Sequence, residues 1–210
     1  MKPLVSIMLA AALLAAAKVQ ARTPLDFFKA PEAKLPLLEN TTRLDMADYF
    51  ESGMSVDSKN LVDDPVRILG ADSTSMKFRD SSLTESALSL LTTGPDTLLV
   101  LTQTIRMPQL DGRVQVYDKS WQPLADGTMP DYSLDDWLTE AGKADRDEVE
   151  SRLPFILATP AFDPATRRLT WTNTMMSMLA GDEMAADVAK WLRPAISYSW
   201  NGKKFKLDKN

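Results

Sequence analysis

The side chains in this chain that could do chemistry are carboxylates and aromatic rings. Its 210 residues include no histidine and no cysteine, so an imidazole base, a Ser-His-Asp triad, a thiolate nucleophile and thiolate or imidazole metal sites are all excluded. Asp45, Asp48 and Glu51 stand at i, i+3 and i+6 and would project side by side from a helix. A glycosidase needs two such carboxyls about 5–10 Å apart, one with a raised pKa. The same spacing is that of the solvated face of an amphipathic helix, which is the preferred reading. Asp126, Asp131, Asp135 and Asp136 could offer oxygen ligands to a hard cation such as calcium. Acids in a polar, helix-capping connection explain them more simply. No catalytic residue, metal or cofactor is therefore assigned.

The aromatic residues pose the same choice. Trp121, Trp137, Trp171, Trp191 and Trp200 could stack on sugar rings, but core packing accounts for rings on strands and helix stripes. Trp121, Tyr198 and Trp200 are carried as the candidate ligand-contact residues. Lys203, Lys204, Lys206 and Lys209 surround Phe205. They suit either an anionic glycan or lipid surface, or the guarding of an edge strand against unwanted pairing. The eight glycines form no nucleophile elbow, P-loop or dinucleotide fingerprint. The net charge of −5 argues against nucleic acid as a partner.

The N-terminus carries an address. Lys2 precedes an uncharged, mainly apolar run from Leu4 to Ala17, and Val19-Gln20-Ala21 supplies small residues for a peptidase. As a helix the run reaches only about 21 Å, short of the roughly 30 Å hydrocarbon core. Residues 1–21 thus read as a signal peptide removed on export. The expected mature chain, 22–210, keeps 189 residues; Lys2 and Lys18 leave with the leader, which takes the charge to −7. The expected location is periplasmic or secreted, with no membrane span after cleavage.

The elements that must position these side chains are short. Thr23, Pro24 and Asp26 mark a helix start. Thr42 and Asp45 suggest a second helix, Arg43 to Ser52, ended by Gly53. Val66 to Leu69, Met76 to Phe78, Leu83 to Leu91 and Leu98 to Met107 have strand character, with a turn at Thr93-Gly94-Pro95-Asp96. Asp111-Gly112 suggests a tight hairpin that sets Val114 opposite Gln109 and Val116 opposite Met107; Pro108 then points to an edge or bulge. Ser133 with Asp136 predicts a helix through Ala141 closed by Gly142, and Asp145 with Glu148 a further turn. Asp163-Pro164 turns one hairpin. Asp182 opens a helix with Met184, Val188, Trp191 and Leu192 as its buried stripe. Asn201-Gly202 predicts a last hairpin pairing Trp200 with Lys203, Tyr198 with Phe205 and Ile196 with Leu207. The expected class is α+β, with antiparallel sheet built from hairpins and meanders and short helices packed on one face. The mature chain reads as one domain with two possible sub-halves, 23–124 and 145–210.

Two stretches, Asp26 to Met54 (DFFKAPEAKLPLLENTTRLDMADYFESGM) and Leu192 to Leu207 (LRPAISYSWNGKKFKL), with YDKSWQPL between them, resemble a family of exported Bacteroidales proteins known as a domain of unknown function (3256). The resemblance implies an envelope or secreted location and an antiparallel α+β build, and brings no activity or site residues. The sequence leans towards a noncatalytic exported module that binds an envelope protein or glycan. A carboxylate-based hydrolase of envelope polysaccharide and a self-associating structural subunit are its rivals.

Overall fold

A computed structural model describes residues 21–106, 109–125, 127–129 and 131–209. The leader apart from Ala21, the Met107 pairing, Pro108 and Asp126 lie outside the described residues.

The fold is α+β with two antiparallel meanders. Helix α1 (Pro24–Lys29) starts with the expected capping box: Thr23 Oγ1 accepts from the Asp26 amide, and the Thr23 amide donates to Asp26 Oδ2 at 2.7 Å. Helix α2 (Asn40–Glu51) begins earlier than expected, at an N-cap Glu39 with no side-chain cap. Thr42 lies inside its first turn, and its hydroxyl instead donates to the Lys59 carbonyl at 3.2 Å. Gly53, at φ 70°, takes the left-handed conformation just beyond the helix.

Six strands follow in sequence order: β1 (Ser58–Lys59), β2 (Pro65–Ala71), β3 (Ser75–Ser81), β4 (Thr84–Thr93), β5 (Asp96–Ile105) and β6 (Asp111–Tyr117). Strand β5 is buried on both faces. Leu99 and Leu101 meet Phe28, Met46 and Phe78 under the two helices. Leu98 and Val100 meet the C-terminal part of the chain.

The Asp111-Gly112 hairpin is corrected. Both residues lie within β6, opposite Ile105 and Thr104, so Val114 faces Thr102 and Val116 faces Val100. The displacement is odd, which exchanges the two faces. Val116 therefore shares an interior with Leu98 and Val100 rather than with Leu99 and Leu101. Gly112 marks a close approach rather than a turn: a Cβ there would run into the Pro160 ring and lie 2.7 Å from the Gln103 carbonyl oxygen.

Helices α3 (Leu134–Trp137), α4 (Glu140–Ala144) and α5 (Arg146–Arg152) form the connection. Ser133 and Asp136 make the predicted capping box, but the helix stops at Leu138, which turns extended and bridges Leu192. Gly142 lies inside α4 instead of closing a helix, where a side chain would run into the Trp191 carbonyl.

The second sheet contains β7 (Ala158–Asp163), β8 (Arg168–Asn173), β9 (Ala195–Trp200) and β10 (Phe205–Leu207), in the order β10-β9-β8-β7. Between β8 and β9 lie α6 (Met175–Met178) and α7 (Met184–Trp191), and the latter buries Val188 and Trp191 as its stripe predicts. The last hairpin is offset by two residues: Phe205 pairs with Trp200 and Leu207 with Tyr198. Asn201 Oδ1 accepts from the Lys203 and Lys204 amides, both at 3.0 Å, and so holds a four-residue loop. An even offset keeps each side chain on its predicted face.

Candidate functional site

The carboxylates expected to compete for a catalytic role do not converge. Asp45 and Asp48 are exposed on α2, and Glu51 pairs with Lys29 at 3.1 Å. Asp135 pairs with Arg146, while Asp136 accepts from the Ser133 amide at 2.8 Å and from the Tyr198 hydroxyl at 3.3 Å. Among the described residues no group of three acids is placed to hold a metal ion.

The three candidate contact residues do not meet either. Trp121 is fully buried under α1, and its indole N–H donates to the Phe27 carbonyl at 3.1 Å. Tyr198 is buried in the interior between the two sheets. Burial and then the neighbouring Asp136 push its phenol pKa up. Trp200 is half-buried and packs edge-on against Phe205, ring centres 5.3 Å apart.

Two other places combine access with chemistry. The first is an open sheet edge. Strand β1 covers only Pro65 and Val66 of the seven-residue β2. Beyond that point, Arg67, Ile68 and Leu69 border a cleft of about 380 Å³. Its other wall is the end of α2 and the chain after it: Met46, Tyr49, Phe50, Met54 and Val56. Met54, Val56 and Leu69 are 48 %, 47 % and 42 % exposed, a cluster of solvent-facing apolar side chains beside unpaired backbone. β2 is bulged at Leu69, which turns this edge out of the regular pleat.

The second is a polar cluster inside the helix-covered face. Asp80 is the extra residue of a bulge between Arg79 and Ser81. Its Oδ2 accepts from Ser86 Oγ at 2.8 Å and from Gln103 Nε2 at 2.9 Å. Gln103 Oε1 in turn accepts from Arg113 Nε at 2.6 Å. Burial holds the Asp80 carboxyl above its ordinary pKa, against the opposing pull of the two hydrogen bonds and of Arg113. Sequence reading passed over all four residues. The available signal was Ser86 and Gln103 continuing the same-face series of Leu88 and Leu90, and of Leu99 and Leu101, with polar side chains.

The residues between 16 and 205 match the family model described as a protein of unknown function, DUF3256. The chain belongs to this family. No curated protein matches the DUF3256 chain. A solved structure, of a domain of an uncharacterized protein from Porphyromonas gingivalis W83, shares its fold at a TM-score of 0.70 and 18 % identity, over 90 % of this DUF3256 chain and 100 % of that one. Among the described residues no helix is long and apolar enough to cross a membrane.

Proposed function

We propose that this DUF3256 protein is an exported, noncatalytic binding module that captures an extended polypeptide of the cell envelope on the open edge of β2. The observation that carries the reading is the outer edge of β2 from Arg67 to Leu69, which β1 leaves uncovered beyond Val66 while β3 pairs the other side, together with the cleft that borders it. An added strand would take main-chain hydrogen bonds from the edge and place every second side chain in the cleft. The cleft volume suits a few apolar side chains of such a segment. The dispersal of Asp45, Asp48, Glu51, Asp135 and Asp136 weighs against a carboxylate hydrolase, which needs two acids in one cleft with unequal environments. Of Trp121, Tyr198 and Trp200, only Trp200 keeps surface that a ligand could touch without displacing the interior.

Export predicts a mature N-terminus at Arg22, read by mass spectrometry of the protein from the envelope or the medium. A random-peptide display screen should enrich segments with apolar residues at alternate positions. The paired change Met54→Asp with Leu69→Asp should release them while circular dichroism stays unchanged. Absence of enrichment, or binders indifferent to the pair, overturns the reading.

A further inference from the structure

Given capture at the β2 edge, on which this inference rests, the chain just before β1 acquires a role. Strand β1 pairs Ser58 with Val66 and Lys59 with Pro65. Continued by equal steps, the same register sets Asp57 opposite Arg67 and Val56 opposite Ile68. An ion pair marks the first of these, with Arg67 Nε 3.5 Å from Asp57 Oδ1. Beyond it the two segments part, and Ser55 and Val56 line the cleft on one side, Ile68 and Leu69 on the other. The ladder also tells which backbone groups stand open. The Asn60 amide donates to the Asp64 carbonyl at 3.0 Å, so Asn60 and Asp64 form a hydrogen-bonded pair, and in an antiparallel ladder every second pair is of that kind. Ser58 with Val66 is the next, and Val56 with Ile68 the one after. The Ile68 amide and carbonyl therefore point out from the edge, and the Val56 amide donates to no backbone carbonyl among the described residues.

We infer that Ser55–Asp57 is a strap poised to close onto β2 as a continuation of β1, so that strap and captured polypeptide compete for the backbone of Ile68. Closure joins Val56 to Ile68 by two main-chain hydrogen bonds and brings the Val56 side chain, exposed in the open cleft, onto the face where Ile68 is buried. Both ends of the strap are fixed. The Met54 amide donates to the Tyr49 carbonyl of α2 at 2.8 Å, and Ser58 lies in β1. With Met54 held by the helix, the ladder cannot lengthen past Val56, and the movement is confined to three residues. Lost backbone freedom opposes closure, while the two hydrogen bonds and the apolar contact favour it, and these terms are of similar size. An incoming strand offers Ile68 the same two bonds and adds side chains for the cleft, so it displaces the strap. Without one, the closed strap shields an edge that any extended chain could pair with.

The test is disulfide trapping in the full chain, which has no cysteine of its own. Val56→Cys with Ile68→Cys should crosslink under mild oxidation at least about tenfold faster than Ser55→Cys with Ile68→Cys, because the closed register places only the first pair on one face. Peptides selected by display on the reduced Val56→Cys, Ile68→Cys variant should be released on oxidation and rebind after dithiothreitol. Should Ile68→Cys impair folding, Val56→Pro is compared with Val56→Ala. Only proline removes the amide that closure uses, so it should bind displayed peptides at least about twofold tighter than alanine does. Equal crosslinking of the two cysteine pairs, no crosslinking, peptide binding by the oxidised form, or equal affinity of the proline and alanine variants overturns the strap. Crosslinking is read without peptide: selective crosslinking with no peptide enriched leaves the strap standing and removes peptide capture, while binders without selective crosslinking do the reverse.

Discussion

Beneath the helices, the six-stranded sheet buries Arg43 and Asp80 among its apolar side chains, with Ser86 and Gln103 beside them. Between the two sheets the interior is aromatic and aliphatic: Trp137, Trp171, Trp191, Tyr198 and Phe205 pack with Leu138, Leu169 and Val188, and among the described residues the buried charged side chains, Arg43 and Asp80, lie elsewhere. At the rim of that second interior the Trp191 indole N–H donates to Asp145, 2.8 Å away. The contrast separates two uses of burial. Apolar surface removed from water stabilises a fold directly. A buried charge stabilises only through the partners that meet it, and its worth is positional. Among the described residues the two buried charges, Arg43 and Asp80, both lie beside the Leu35–Leu38 segment. Arg43 holds that segment by donating from Nη1 to the Leu38 carbonyl at 2.6 Å, and from Nε and Nη2 to the Phe28 and Ala30 carbonyls at 2.8 Å each.

The sharpest way to break the comparison is to remove Arg43. Arg43→Ala leaves three carbonyls without their donor and a void beside Met46, and should cost about 3 kcal/mol in urea unfolding. Arg43→Lys should recover only part of this, because one ammonium cannot reproduce a planar fork that meets three carbonyls. If the alanine variant unfolds within about 0.5 kcal/mol of the parent, the polar interior is incidental rather than structural.

Asp80→Asn works in the opposite direction. Asparagine can keep the two hydrogen bonds that Oδ2 accepts and removes a buried charge, so the variant should be more stable at pH 7 by about 1 kcal/mol. The pH dependence fixes the cause. Burial raises the Asp80 pKa in the folded protein above its ordinary 3.8, so the folded state holds this proton more tightly than the unfolded state does. Its contribution to stability is intact below about 3.8 and declines as pH rises through the raised folded-state value. Arg113 is the charged side chain that offsets this, with Ser86 and Gln103 as its hydrogen-bonding neighbours. The advantage of the asparagine variant should open across that window and stay level above it, as measured by urea unfolding from pH 3 to 8. A gain that does not vary with pH would mean that Asp80 is not a buried carboxyl of this kind.

Much of the fold was legible because it rests on local signals. The Thr23 and Ser133 capping boxes, the Gly94-Pro95 and Asp163-Pro164 turns and the stripe on α7 all lie where short-range chemistry puts them. The errors arise where a residue answers to a distant partner. Gly112 looks like a turn and is a glycine because Pro160 crosses it; Gly142 looks like a stop and is a glycine because Trp191 lies against it. The polar cluster was hidden for a related reason. Ser86, Gln103 and Arg113 come from three strands and meet only through the registers of β4, β5 and β6. The shift that carries Asp80 to them is a bulge, which side-chain alternation does not announce.

The smallest expected effect concerns the acids that first drew attention. Asp45, Asp48 and Glu51 have the spacing of a catalytic row, yet the first two face solvent and the third meets only Lys29, whose own side chain is 29 % exposed. An exposed pair of this kind contributes about 0–1 kcal/mol. Asp45→Asn with Asp48→Asn should shift urea stability by no more than about 0.5 kcal/mol and leave peptide display unchanged. The value of the double variant lies in its asymmetry with Asp80→Asn. The three substitutions make the same chemical change, carboxyl to amide, and differ in burial and in the partners around the group. A measurable loss of peptide binding from the α2 pair would place function on the exposed helix face and remove the distinction between the charged residues that this fold buries and those it leaves in water.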